Sequence, residues 1–198
     1  MNNIDELIDS LGLDKHIQIG DMPSIDLYMD QVIQLFENAF AQSRRNEDEK
    51  ILTKTMINNY AKGNLFFPVK KKKYTREHLM VISLIYQLKG ALSITDIKGV
   101  LSGINEKVSK GSISLEDFYA AFLSLSAQNT ASFRKELSRR QHSAESEIEH
   151  ICGGDKHAEK VLLIASLVNM SNMYRRVAEK LADELQQEHP DDEQDNQG

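Results

Sequence analysis

Two groups of side chains within residues 53–76 have the chemistry to hold a nucleic-acid duplex. Lys54, Thr55, Asn58 and Asn59 fall on the polar flank of a helix-length segment that starts at Thr53. Asn can pair bidentately with adenine and Lys with guanine, so such a flank can read base edges. Lys70, Lys71, Lys72 and Lys73 then follow Pro68, in the company of Phe66, Phe67 and Tyr74. Four adjacent like charges repel one another unless an anion neutralises them, which a phosphate backbone does. A short polar helix, a Pro-stiffened basic hairpin and an apolar helix, in that order, are the parts of a winged helix-turn-helix. The plainer alternatives are that Asn58 and Asn59 merely end a surface helix and that the lysines form a solvated loop.

Charge distribution favours the duplex. The whole chain has a formal net charge of -6 and a pI of about 5.5, which alone would argue against a polyanionic partner. From position 44 to 89, however, eleven Lys or Arg stand against four acids (Glu47, Asp48, Glu49 and Glu77), a balance of +7; with chain totals of 24 bases and 30 acids, the remainder stands at -13. Clustered cations suit phosphate, and an acidic remainder repels non-specific nucleic acid.

Other classes find less support. No apolar run approaches the roughly 18 residues that span a bilayer, and Met1-Asn2-Asn3-Ile4-Asp5-Glu6 is acidic where a signal peptide is basic, so the expectation is a cytoplasmic protein with no membrane partner. The single Cys152 forms no internal disulfide, in keeping with a reducing compartment. Three prolines, no Trp and 40% apolar residues fit a helix-rich protein. The sequence has no glycine-rich phosphate loop, no His-Glu-x-x-His and no nucleophile turn, so no catalytic residue, enzyme activity or cofactor is expected.

The elements that must position these side chains follow from periodicity. Ile4, Leu7, Ile8 and Leu11 predict a short helix stopped at Gly12, one that must dock to be stable. Ser24 is a candidate N-cap for a helix with Ile25, Tyr28, Met29, Val32, Leu35, Phe36, Ala39 and Phe40 facing inward. After a polar loop over 42–50, Thr53 opens a second helix with Met56, Ile57 and Tyr60 inward, ended by Gly63 and Asn64. An extended excursion around Pro68 leads to Thr75, the cap of a third helix carrying Leu79, Ile82, Ile85, Tyr86 and Leu88. Ser93 opens a short fourth helix with Ile97, Val100 and Leu101, closed by Gly103. Ser114 begins a long helix through Leu115, Phe118, Tyr119, Phe122, Leu125, Phe133 and Leu137, broken at Gly153-Gly154. In the last helix Leu163, Leu167, Met170, Tyr174, Val177 and Leu181 form a short heptad seam suited to self-association. Residues 189–198 offer nothing apolar beyond Pro190 and are expected to be disordered.

The runs Met56-Ile57-Asn58-Asn59-Tyr60-Ala61-Lys62, Leu65-Phe66-Phe67-Pro68, Lys73-Tyr74-Thr75-Arg76-Glu77-His78-Leu79 and Leu92-Ser93-Ile94-Thr95-Asp96-Ile97-Lys98 resemble the DNA-binding half of MerR-type regulators. Residues 24–101 also resemble the YkrK-like domain-of-unknown-function family of low-GC Gram-positive bacteria, for which a role in transcriptional control is suggested. The MerR-type resemblance implies that the helix starting at Thr53 enters the major groove and that residues 67–74 form a wing. It implies that Lys54, Thr55, Asn58 and Asn59 face bases or nearby phosphates, and that Tyr60, Lys62, Lys70, Lys71, Lys72, Lys73, Tyr74 and Arg76 face the backbone. The chain departs from that pattern in a longer loop before the second helix and in a wing without glycine or paired arginines.

The expected fold is therefore mainly α: an N-terminal helix plus MerR-like winged helix-turn-helix over 1–103, then a C-terminal dimerisation region of two long helices over 112–188. The expected function is a sequence-specific transcriptional regulator, a repressor acting as a homodimer on an inverted repeat of double-stranded DNA, with an unidentified effector left open. A protein-interaction module built on the acidic helices is one alternative, and a small-molecule sensor with its pocket among Phe118, Phe122, Val168 and Tyr174 is another. Glu149, His150, Cys152, Asp155 and His157 have metal-ligand chemistry, but one Cys beside two glycines reads more simply as a helix-to-helix turn, and no metal is expected.

Overall fold

Hydroxyl side chains set the helix starts in the computed structural model, which describes residues 4–188. The Thr53, Ser93 and Ser114 oxygens accept from the backbone N–H groups of Met56, Asp96 and Asp117 at 3.1, 3.1 and 3.2 Å. Each satisfies a donor that the first helical turn leaves without a partner. The elements are α1 (Ile4–Ser10), β1 (Leu27–Tyr28), α2 (Met29–Ala39), α3 (Lys54–Lys62), β2 (Lys73–Tyr74), α4 (Arg76–Leu88), α5 (Ile94–Ser109), α6 (Leu115–Cys152) and α7 (Lys156–Glu188). The chain is mainly helical, and its last two helices are by far the longest. No helix among the described residues is long and apolar enough to cross a membrane. The tail expected to be disordered lies outside the described residues.

Helix α4 is the axis of the first core. Every residue from His78 to Ile85 on it is buried, because α2, α3, α5 and α6 surround it with Val32, Phe36, Ile57, Tyr60, Ile97, Leu101, Leu115 and Tyr119. The core therefore takes in the first two turns of α6. The Tyr119 hydroxyl donates to the Ile17 carbonyl at 2.8 Å, a buried link between residues 102 positions apart. A second, smaller core joins Ile8 of α1 to Leu137 and Ala144 of α6 and Leu163 of α7. Helix α1 docks there, held by Arg134, which pairs with Asp5 and Asp9.

Two element boundaries differ from the sequence expectation. The helix expected from Ser24 starts at Met29, after a two-residue strand that turns Leu27 inward and Tyr28 outward; Ile25 and Tyr28, expected on the apolar stripe, are 69% and 55% exposed. Helix α5 does not close at Gly103 but runs on to Ser109. Its Gly99 has a tertiary reason, since a Cβ there would collide with Gln186 of α7. The left-handed residue that ends α3 is Asn64 (φ 55°), while Gly63 stays right-handed (φ -77°).

Candidate nucleic-acid interface

The four lysines form a tight turn. The Lys73 N–H donates to the Lys70 carbonyl at 3.0 Å, and the two central residues, Lys71 and Lys72, have φ of 52° and 59°. Positive φ at both central positions marks a type I′ hairpin turn, where Asn-Gly is the usual choice because a Cβ there costs roughly 1–2 kcal/mol per residue. Strain of this kind persists only where the surrounding structure over-determines it, and such residues cluster at functional sites.

The base of the turn is anchored twice. Strand β2 pairs antiparallel with β1, Leu27 opposite Tyr74 and Tyr28 opposite Lys73. His78, buried on α4, accepts from the Thr75 N–H through Nδ1 at 3.1 Å, while its Nε2 lies 3.1 Å from the Phe67 carbonyl. Phe66, Phe67 and Tyr74 meet the imidazole edge to face, so the ring is enclosed, and burial lowers its pKa. Its neighbour Glu77 has its carboxyl pKa lowered by the Thr75 hydroxyl, which donates to it at 2.6 Å.

The turn and α3 meet through the start of α2. Lys54 Nζ on α3 lies 2.8 Å from Asp30, and Lys73 Nζ lies over the Tyr28 ring, 5.5 Å from its centre. Tyr28 and Asp30 are two residues apart, so the N-terminal turn of α3 and the lysine turn border one surface. On α3 the exposed residues are Lys54, Thr55, Asn58, Asn59, Ala61 and Lys62, with Ile57 and Tyr60 on the opposite, buried side. Lys62, Lys70, Lys71 and Lys72 are exposed and have no ion pair among the described residues.

Some expected contact residues are not available to a duplex. Tyr60 and Tyr74 are core residues, each 4% exposed, so their rings cannot lie along a phosphate backbone. Arg76 points inward along the N-terminal segment, its guanidinium donating to the Ile19 carbonyl at 2.6 Å with Glu116 4.0 Å away. The Thr53 hydroxyl oxygen accepts in the cap, while its O–H can still donate. Two further cations of the basic stretch are structural: Arg44 pairs with Glu37, and Lys89 donates to the Ile51 carbonyl at 2.8 Å. The patch is thus smaller than the charge count suggests and centred on lysines. Tyr28 was missed because a two-residue strand has no periodicity to reveal which side chain turns outward, and Asp30 because a single acid in a helix's first turn carries no motif.

The C-terminal candidates also separate. Leu163 is buried within the chain's own second core, and Leu167 is partly buried against it. Tyr174, Val177 and Leu181 are exposed and extend the same face of α7. Of the four side chains expected to frame a sensor pocket, Phe118 and Phe122 pack on the first core and Val168 is exposed, leaving Tyr174 alone beside a cleft. Among the described residues no group of three His, Cys, Asp or Glu could hold a metal ion. Asp155 instead caps α7, accepting from the His157 and Ala158 N–H groups at 2.7 and 3.3 Å, and those bonds lower its pKa.

No curated protein and no solved structure matches the chain. Residues 17–122 match a protein family, a span that holds the lysine turn, α3, Tyr28, Asp30 and the opening turns of α6. That span is more than half of the chain, which therefore belongs to the family described as a domain of unknown function, DUF1836.

Proposed function

We propose that the protein is a sequence-specific DNA-binding regulator with a MerR-like winged helix-turn-helix, α3 entering the major groove and the lysine turn lying on the adjacent phosphate backbone. The observation that carries this reading is the turn itself: lysines occupy two left-handed positions that favour glycine, at the tip of an arm anchored by β1 and His78. Lys54, Thr55, Asn58 and Asn59 supply the base-facing flank, with Tyr28, Lys62 and Lys73 at its margin. Self-association through Val177 and Leu181 would present two copies of α3 to an inverted repeat, whose half-sites lie about one duplex turn apart. Occupancy of such a site represses transcription directly.

The test is selection of duplexes from random oligonucleotides by the purified full chain, followed by salt titration on the recovered sequence. An inverted repeat is expected. Replacing Lys70, Lys71, Lys72 and Lys73 by Ala flattens the log K against log salt slope by about 0.9 for each phosphate that is no longer neutralised. Asn58→Ala relaxes sequence discrimination instead. Recovery of no enriched sequence, with the slope unchanged by the lysine replacements, removes the reading.

A further inference from the structure

Helix α7 parts from α6 midway along its length. As far as Leu167 the two are joined by Leu137, Ala144 and Leu163, but beyond it α7 turns toward α5, burying Ala182 and passing Gln186 over Gly99. The separation opens a cleft of about 960 Å³ between α6, α7 and the Gly90-Ala91 turn that follows α4. That volume lies at the upper end of the roughly 300–1,000 Å³ of pockets that hold drug-sized ligands.

The lining is apolar with a cationic margin. Phe133, Met170 and Tyr174 supply the apolar surface, and Arg140 and Arg175 come from opposite helices. Glu136 is the one acid among the lining residues, and it is already shared: Arg139 grips it through two contacts of 2.9 and 2.8 Å, and Arg140 lies 2.7 Å away. Two guanidiniums on one carboxylate leave a positive surplus. Arg140 is further oriented by the Ser166 hydroxyl at 3.0 Å, whereas Arg175 is only loosely engaged, 3.8 Å from Glu179 and 3.5 Å from Asn172. A planar carboxylate matches the donor fork that such arginines present.

We propose that this cleft binds an amphipathic monocarboxylate, its extended apolar or polycyclic body against Phe133, Met170 and Tyr174 and its carboxylate between Arg140 and Arg175. The charge of the margin favours this occupant over a neutral compound, and the site is separate from the duplex-facing surface.

The test uses the full chain and three fluorescent probes of one shape: pyrenebutyrate, pyrenebutanol and pyrenebutylamine. Pyrenebutyrate binds saturably with one site per chain, the alcohol about tenfold more weakly, and the amine not at all. Arg175→Gln, on an exposed position, weakens the acid about tenfold and leaves the alcohol unchanged. Met170→Trp crowds the apolar wall of the cleft and weakens both, with an unchanged melting temperature reporting the fold. Equal affinity for all three probes overturns the proposal, as does full affinity for the acid in both Arg140→Gln and Arg175→Gln. Binding that emerges only when Val177→Glu and Leu181→Glu are combined also overturns it, because a second copy of the chain then covers the cleft. No DNA enters the assay, so its outcome is separable from that of the duplex selection.

Discussion

Lys54 Nζ, on the first turn of α3, lies 2.8 Å from Asp30 on the first turn of α2. Both side chains are mostly exposed, so the pair adds less than about 1 kcal/mol to stability. Its consequence is electrostatic: Asp30 sets one negative charge at the edge of a surface otherwise suited to phosphate. Asp30→Asn is expected to leave the urea midpoint unchanged and to tighten duplex binding by about fivefold at low salt, while Lys54→Ala loosens it by a similar factor. Fluorescence anisotropy on the selected duplex checks both.

Lys71 and Lys72 set stability against binding. Replacing both by Gly relieves left-handed strain and offsets it partly through greater freedom of the unfolded chain, for a net gain of about 1 kcal/mol. The same change removes two cations, so duplex affinity falls at every sequence tested. Urea denaturation and anisotropy of one variant should move in opposite senses. Parallel losses in both would show that the lysines serve the turn alone.

His78 ties stability to pH. Because the Thr75 N–H donates to Nδ1, the neutral ring carries its proton on Nε2, facing the Phe67 carbonyl. Burial lowers its folded pKa from 6.5, against smaller opposing effects of the Phe67 carbonyl, Glu77 and Asp26. The unfolded chain then binds more protons between the two values, so this contribution is complete above the unfolded pKa and is lost as pH falls through it toward the folded one. The melting temperature should be level above about pH 7.5 and decline below about 6.5. His16 is lowered by burial too, so His78→Gln makes the decline shallower without abolishing it.

The two halves of the α7 seam should respond differently. Val177→Glu with Leu181→Glu alters exposed positions, so sedimentation equilibrium should show a monomer whose melting temperature is nearly that of the parent. Leu163→Ala cuts into the second core and costs about 2–4 kcal/mol whatever the oligomeric state.

Capping signals were the most legible part of the fold. Thr53, Ser93 and Ser114 begin helices because a short hydroxyl side chain followed by an apolar period is a local pattern with a local cause. The start of α2 was not legible, since β1 exists only through its pairing with β2, far along the chain. Gly103 was a misleading stop, and Gly99 within the same helix makes sense only once Gln186 packs over it. At the interface, residue type identified the lysines and the polar flank of α3. It could not separate Lys71, which projects outward, from Arg76 and Lys89, whose charges are drawn into backbone carbonyls of the chain's own interior.

The bond from Tyr119 to the Ile17 carbonyl bears on how the chain matures during synthesis. Leu115 and Tyr119 are the last buried residues of the first core, so its final closure waits while α5 and the connector after it emerge from the ribosome. Only when the opening turns of α6 have cleared the exit tunnel can that segment lock shut, and until then Ile17 must keep its hydration.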